Sequence, residues 1–503
     1  MPTSSRSDAP RPGLAALGLG GVAFAVAATL NAGGYRYGAS DQAFYIPAIL
    51  HHVDPSLFPR DWAMLGAQGR YFFVDEIVGT LVRVTGWPLP AWFAIAQVLT
   101  LTALYAGAVH VGRAVLRSPW ALAAWIAALT LRHRIAKTGA NTLEGYFHPR
   151  MLVFGVGLVA LGDVLHGRRW RPVLLLLVAG ALHPTTAALF LAIVLVALAW
   201  SDASWRRGVL TTSALGVVAA VVVVAAGHGP DLTPMDTAWR ALVATKDYTF
   251  PTVWSFSTWA TNLAAPIVLA AAVWRRAGEG RLAPAERGLV AGAMVLLLGF
   301  VASLPLIAAG VPIAVQLQTS RAFWPLEALA VLYLVWALAD RAGASVAAAR
   351  AVAVGLVAIS VARGVYVGFV ESPERATLAV DLPDDDWTRA LAWIRDQTPH
   401  DTFVIADPGH AWKAGMGTAV RIGAWRDVAL EETKDVAMAM YSRAAARAVT
   451  ARIEALAAFD RLDATDLRAL APADGPAVVV TLRALELPVA HRAGAVTVYH
   501  LRP

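Results

Sequence analysis

The sequence predicts an α-helical polytopic membrane protein, with about eleven transmembrane helices in residues 1–369 and an extracytoplasmic α/β domain in 370–503. Three observations predict it. The 503 residues are 57% hydrophobic and only 15% charged, more apolar surface than a soluble domain hides. Apolar runs recur as far as Phe369 and then stop. Arginine gathers in the short loops between those runs, as in a membrane chain oriented by charge. The net charge of +7 therefore belongs to topology, and no nucleic-acid partner is expected. Cysteine is absent, which excludes a disulfide framework, Cys-ligated zinc and thiol chemistry.

A spanning helix needs about 20 apolar residues. Candidates fall at 13–33, 89–115, 119–131, 151–166, 172–183, 185–200, 208–227, 256–274, 287–309, 322–339 and 346–369. Two of them, 119–131 and 172–183, are short, which implies tilt or lengthening by polar residues that face protein. The first twelve residues carry Arg6 and Arg11 and mimic the start of a signal peptide. No clear small-residue cleavage site precedes the polar "GGYRYGASD", so the first span is expected to be retained.

Arg6 and Arg11 put the N-terminus in the cytoplasm. "VGRAVLRS", "HGRRWR", "SWRR", "WRRAGEGRLAPAER" and "ADRAGASVAAAR" then all fall on the cytoplasmic side of one span count. Loops 34–88, 132–150, 228–255 and 310–321 fall outside, together with 370–503. The expected location is the cytoplasmic membrane of a bacterial envelope, among its lipids.

The loop "RHRIAKTGANTLEGYFHPR" breaks the charge rule, with Arg132, His133, Arg134, Lys137 and Arg150 on the outer side. Snorkelling to headgroups is one reading. The other is an anion site, since cations held at a membrane surface against the topological bias suit a phosphate.

The first outer loop is also unusual. "DQAFYIPAILHHV" puts Phe44, Ile46, Pro47, Ile49 and Leu50 on a helix able to lie in the membrane plane, with Asp41 just ahead of it. The ordinary role for Asp41 is an N-cap. A second surface-lying helix, in "YFFVDEIVGTLVRV", follows Asp61 and carries Asp75 and Glu76. In "LHPTT", His183-Pro184 breaks a long apolar run at the outer face, either as a tight turn or beside a site. "VQLQTSRAFWP" brings Gln316, Gln318 and Arg321 to another outer boundary.

In the tail, "DLPDDDWTRALAWIRDQTP" reads as a capped helix start rather than a metal site. "TFVIADPGH", "PAVVVTL" and "AVTVYHLRP" read as strands, and "ARAVTARIEALAAFD" as a helix. His410, Trp412 and Lys413 follow a strand end, a place for ligand loops or merely a polar tip. There is no Walker A, G-x-G-x-x-G before a helix, HExxH or G-x-S-x-G motif.

A first span, an outer loop opening on Asp41 with two helices along the membrane, an acidic Glu144 in the second outer loop and a soluble tail together resemble the plan of GT-C glycosyltransferases. The resemblance implies inverting transfer of a sugar from a polyprenyl-phosphate donor to a glycan, lipid or protein acceptor at the outer membrane face. It implies that Asp41 is the catalytic acid–base residue, and that Glu144 positions the acceptor or a divalent cation, Mg or Mn. Arg150, His148, Arg134 and Arg321 hold the lipid phosphate on this reading, with His183 and Asp61 as additional candidates. Only Asp41 occupies the first-loop position of the family's acid, which leaves metal use open. Two other classes compete: a non-catalytic lipid-binding or scaffold protein of the same fold, and a secondary transporter. Against the transporter, no internal repeat is visible, and ionisable residues gather in outer loops rather than in mid-span.

Overall fold

Each apolar run of the sequence folds as a helix in the computed structural model, which describes residues 13–69, 73–226, 232–413 and 417–502. Arg6 and Arg11 lie outside the described residues. Six helices are long and apolar enough to cross a membrane: Leu89–Val115, Pro184–Ser201, Phe256–Gly278, Pro284–Ala308, Pro312–Ala339 and Val346–Glu371. The expected segments near 13–33, 119–131 and 172–183 are shorter apolar helices at Ala15–Asn31, Pro119–Leu129 and Trp170–Gly180. Prolines at the first turns of Pro119–Leu129, Pro149–Leu165 and Pro184–Ser201 start those helices, where a missing N–H costs nothing. Leu174, Ile267 and Leu298 point outward, each more than half exposed, as lipid-facing positions do. The chain is a helical membrane protein.

All five arginine-rich loops sit at one end of the bundle. Arg117 N–H bonds the Asp340 carboxylate, and Arg281 bonds the Asp340 carbonyl. His110 reaches Asp163, whose carboxylate also meets Arg168 and Arg171. Arg169 pairs with Asp202, and Trp170 packs on Trp205. Close helix contact near the middle depends on small residues. A Cβ on Gly107 would lie 2.7 Å from the Gly155 carbonyl of the facing helix.

At the other end the loops fold onto the C-terminal part. β1 (Tyr35–Arg36) leaves the first helix and pairs in parallel with β2 (Leu378–Ala379). A five-stranded sheet follows, made of β3 (Phe403–Ala406), β4 (Asp427–Val428), β5 (Ala477–Thr481), β6 (Val489–Ala493) and β7 (Val496–Arg502), in the order β4-β3-β5-β7-β6. β4, β3 and β5 are parallel, while β7 is antiparallel to both β5 and β6. The helix Asp386–Gln397 covers one face, and Asp385 caps it by accepting from Thr388 N–H, as the sequence implied. On the other face, Val479, Met438 and Met440 share one core with Trp239, Phe250 and Val315 of the loops at this end.

One expectation is corrected here. The helix Gln42–Val53 does not lie on a surface, because Ile46, Ile49 and Leu50 pack with Phe93, Phe147 and Ile422. Its apolar residues reach around the helix, so protein on both sides is the better burial. The second loop helix, Val74–Thr85, does leave Ile77 and Val84 exposed.

Candidate functional site

The site begins with the backbone that aims Asp41. Ser40 is held at φ +52°, a left-handed conformation unusual for a residue with a side chain. Gln42 Oε1 accepts from Gly38 N–H, and Gln42 Nε2 donates to the Phe147 carbonyl, which closes the turn. Asp41 therefore sits at the N-cap position of Gln42–Val53 yet makes no side-chain cap bond. Its carboxylate turns away. Oδ1 accepts from Lys434 Nζ at 2.6 Å, and Oδ2 lies 3.3 Å from His148 Nε2 and 3.6 Å from Arg150.

Glu144 comes close through its neighbour. Arg36 N–H bonds the Gly145 carbonyl, and a Cβ at Gly145 would collide with the Gly34 carbonyl, so only glycine lets the two loops touch. Arg150 then bridges the acids, with one nitrogen against Glu144 and within reach of Asp41. His148 caps Pro149–Leu165 by accepting at Nδ1 from Arg150 N–H. That bond leaves the proton on Nε2, which faces Asp41.

A second His-Pro cap lies beside the first. His183 Nδ1 accepts from Thr186 N–H at the start of Pro184–Ser201, and the two imidazoles are 6.0 Å apart. Two helix N-termini thus converge, with the positive ends of their dipoles. Arg321 follows Gln318, another left-handed residue at φ +47°. Its Nε bonds the Thr138 carbonyl at 3.4 Å, and no carboxylate pairs with it among the described residues.

These groups surround a cavity of about 480 Å³. Asp41, His148, Arg150, His183 and Arg321 line its polar side. Phe44, Ile313, Leu317 and Met438 line the rest. Burial pushes the Asp41 carboxyl up, but Lys434, His148 and Arg150 outweigh it and hold it well below the usual range. Glu144 is likewise held down, by Arg150 and His148 against burial. Burial keeps His183 neutral, its pKa well below the ordinary value. The cavity wall carries two guanidinium groups, Arg150 and Arg321, and one carboxylate, Asp41, among the described residues.

The other candidates lie elsewhere. Glu144 is buried behind Arg150 and is not part of the cavity wall. Arg134 is exposed and does not line the cavity, although Asn141, its partner in an isolated bridge, does. Asp61 belongs to a separate ion network with Arg421, which also binds Glu431 and Asp435. His410 is committed to the carbonyls of Asp407 and Thr418, while the side chains of Trp412 and Lys413 lie outside the described residues.

A divalent cation does not fit the donors present. Both Asp41 oxygens already face cations, and Glu144 is sealed against a guanidinium. Among the described residues no three Asp, Glu or His side chains gather as a metal set. The residue that sequence reasoning missed is Lys434, which is 393 positions from Asp41 on the polar helix Glu432–Ala439. No sequence pattern links the two.

Fold and cavity together define a class, a helical membrane protein with a partly open, largely apolar cavity that carries a cationic polar side, next to a small α/β unit. No family model matches the chain, and no curated protein matches it.

Proposed function

We propose that the protein transfers a sugar, with inversion, from a polyprenyl-phosphate donor to an acceptor hydroxyl at the outer face of the cytoplasmic membrane. The observation that carries this reading is the pairing, in one cavity, of a carboxylate turned off its own helix end with Arg321, a cation that has no acid partner among the described residues. Asp41 Oδ2, the more loosely held oxygen, receives the acceptor proton as the acceptor oxygen bonds the anomeric carbon. The bond from that carbon to the phosphate oxygen breaks, and the phosphate keeps the electron pair. Arg321 and the two His-Pro helix N-termini stabilise the charge that develops on it. The apolar wall of Ile313 and Leu317 suits the first isoprene units.

The GT-C plan, eleven spans, a cytoplasmic N-terminus and an outer 370–503 domain belong to the same proposal. Support comes from the clustering of the five arginine-rich loops opposite the cavity. The test is incubation of the purified protein in lipid discs with polyprenyl-phosphate sugars and a panel of acceptors, followed by the anomeric configuration of any product. Retained configuration, or transfer unaffected by Asp41→Asn, defeats the assignment.

One observation favours a second reading, a lipid-phosphate-binding scaffold. Three cationic or donor groups already surround Asp41. On that reading a prenyl phosphate binds and no sugar moves.

A further inference from the structure

We propose that Lys434 is the positioning residue of Asp41: from the C-terminal part of the chain it anchors the carboxylate, which the backbone has already turned off its helix end, and fixes it toward the cavity, the task a divalent cation performs in carboxylate sites built for one. The inference rests on Asp41 being the reactive carboxylate of that cavity, but its test reads no sugar transfer.

The geometry carries the argument. Asp41 stands just before the helix Gln42–Val53 with helical φ and ψ of −69° and −10°, not the extended backbone from which a capping carboxylate reaches its own first-turn N–H groups. No such bond forms. The bond from the Lys434 ammonium is short and charge-assisted, and it takes the carboxylate that the backbone leaves uncommitted. Lys434 Nζ approaches Oδ1, while Oδ2 is left toward His148 and Arg150. One oxygen is an anchor and the other stays in the cavity.

The anchor is itself pinned. Lys434 is flanked by Glu431 and Asp435, and both of these carboxylates bind Arg421. Arg421 also bonds Asp61 in the first outer loop, at 2.7 Å. Asp61 in turn accepts from Val428 N–H at the start of the sheet. The turn that carries Lys434 is thereby fixed to the loop that carries Asp41. Without that segment the cavity loses both a wall, Met438 to Tyr441, and the group that aims its carboxylate.

Several other groups face Asp41. His148 and Arg150 come from the start of Pro149–Leu165, and Tyr45 from its own helix. Glu144 and Tyr146 come from the second outer loop, and Lys246 and Tyr248 from the third. Lys434 makes the shortest contact with it.

The experiment labels carboxyls in the full-length protein in lipid discs with a water-soluble carbodiimide and an amine. The reagent attacks protonated carboxyls, and mass spectrometry reads the Asp41 peptide across a pH series. In the unaltered protein, Asp41 labelling begins only below the ordinary carboxylate range. In Lys434→Gln the onset moves up by a pH unit or more, an increase of about tenfold at a fixed pH, and Lys434→Arg restores it. A folded Lys434→Gln protein that labels at the original rate overturns the proposal. If Lys434→Gln does not fold, the unaltered protein still decides: onset at or above the ordinary range sinks it. Mg²⁺, Mn²⁺ and EDTA are expected to leave both the labelling and the thermal midpoint of the unaltered protein unchanged. Protection of Asp41 by either metal counts against Lys434 holding that place. Absence of sugar transfer touches none of these readings, and a failed labelling result leaves the transfer assay intact.

Discussion

Asp41 and Asp75 both lie in the segment between the helices Leu14–Asn31 and Leu89–Val115 but face opposite surroundings. Asp41 is surrounded by donors, so its charge is matched in the folded protein. Substitution by Asn and by Ala is expected to be about equally damaging, because neither takes a proton and both leave Lys434 without its carboxylate. Sugar transfer is expected to fall roughly a hundredfold or more in each. Were Asp41 only a cap, Asn would behave as wild type, so comparing the two rates separates the roles. Among the described residues Asp75 has no such company: Oδ1 is buried without a partner, and burial, with Glu76 adding to it, pushes the carboxyl up to about 8. The folded state therefore holds a proton that the unfolded chain gives up near the ordinary value of about 4. The sign follows: stability is greatest below that value and is lost as pH rises through the window up to about 8. Asp75→Asn is expected to flatten the fall of the thermal midpoint with rising pH, and to exceed the unaltered protein at alkaline pH. Parallel curves for the two proteins would reject an isolated, neutral Asp75.

Among the elements, the joint between the first outer loop and the C-terminal sheet depends on Arg421, which is 1% exposed and binds Asp61, Glu431 and Asp435. Removing one partner from a buried ion group costs roughly 3–5 kcal/mol, mainly because the stranded charges stay buried. Arg421→Met is expected to destabilise by that order in chemical or thermal unfolding, and to speed proteolysis between the last span and the sheet. Unchanged proteolysis would mean that the shared apolar core holds the joint unaided. This joint was invisible in the sequence. "EETKDVAMAM" reads as a solvated polar helix, and nothing local says that Lys434 and Asp435 are buried. Helices in the apolar runs were legible because apolar length is a local property, although six rather than eleven are long and apolar enough to cross a membrane, and the break at His183-Pro184 was legible because proline cannot continue a helix. Asp41, Arg150 and Arg321 could be singled out by charge at apolar boundaries. Their convergence, and the burial of Gln42–Val53, are set by contacts hundreds of residues apart.

For the whole molecule, the two ends differ in kind. One end gathers arginine-rich loops tied by Asp340, Asp163 and Asp202, and the other holds the cavity and the sheet. Positive loops stay on the cytoplasmic side during insertion, so the cavity end is expected outside. The chain contains no cysteine, which makes single introduced thiols clean reporters of side. Ser204 is exposed in an arginine-rich loop, while Ser56 and Asp384 are exposed at the cavity end. In intact cells a membrane-impermeant maleimide that reaches the outer face of the cytoplasmic membrane is expected to label Ser56→Cys and Asp384→Cys. Ser204→Cys is expected to react only after the membrane is opened. The same pattern in all three tests both orientation and the assignment of Ser56 and Asp384 to one side. Labelling of Ser204→Cys alone in intact cells would turn the molecule over, put the cavity in the cytoplasm and remove the polyprenyl-phosphate reading. Labelling of Ser56→Cys without Asp384→Cys would contradict the shared end, because β1 pairs with β2 across that same boundary and Asp61 is bonded to Arg421.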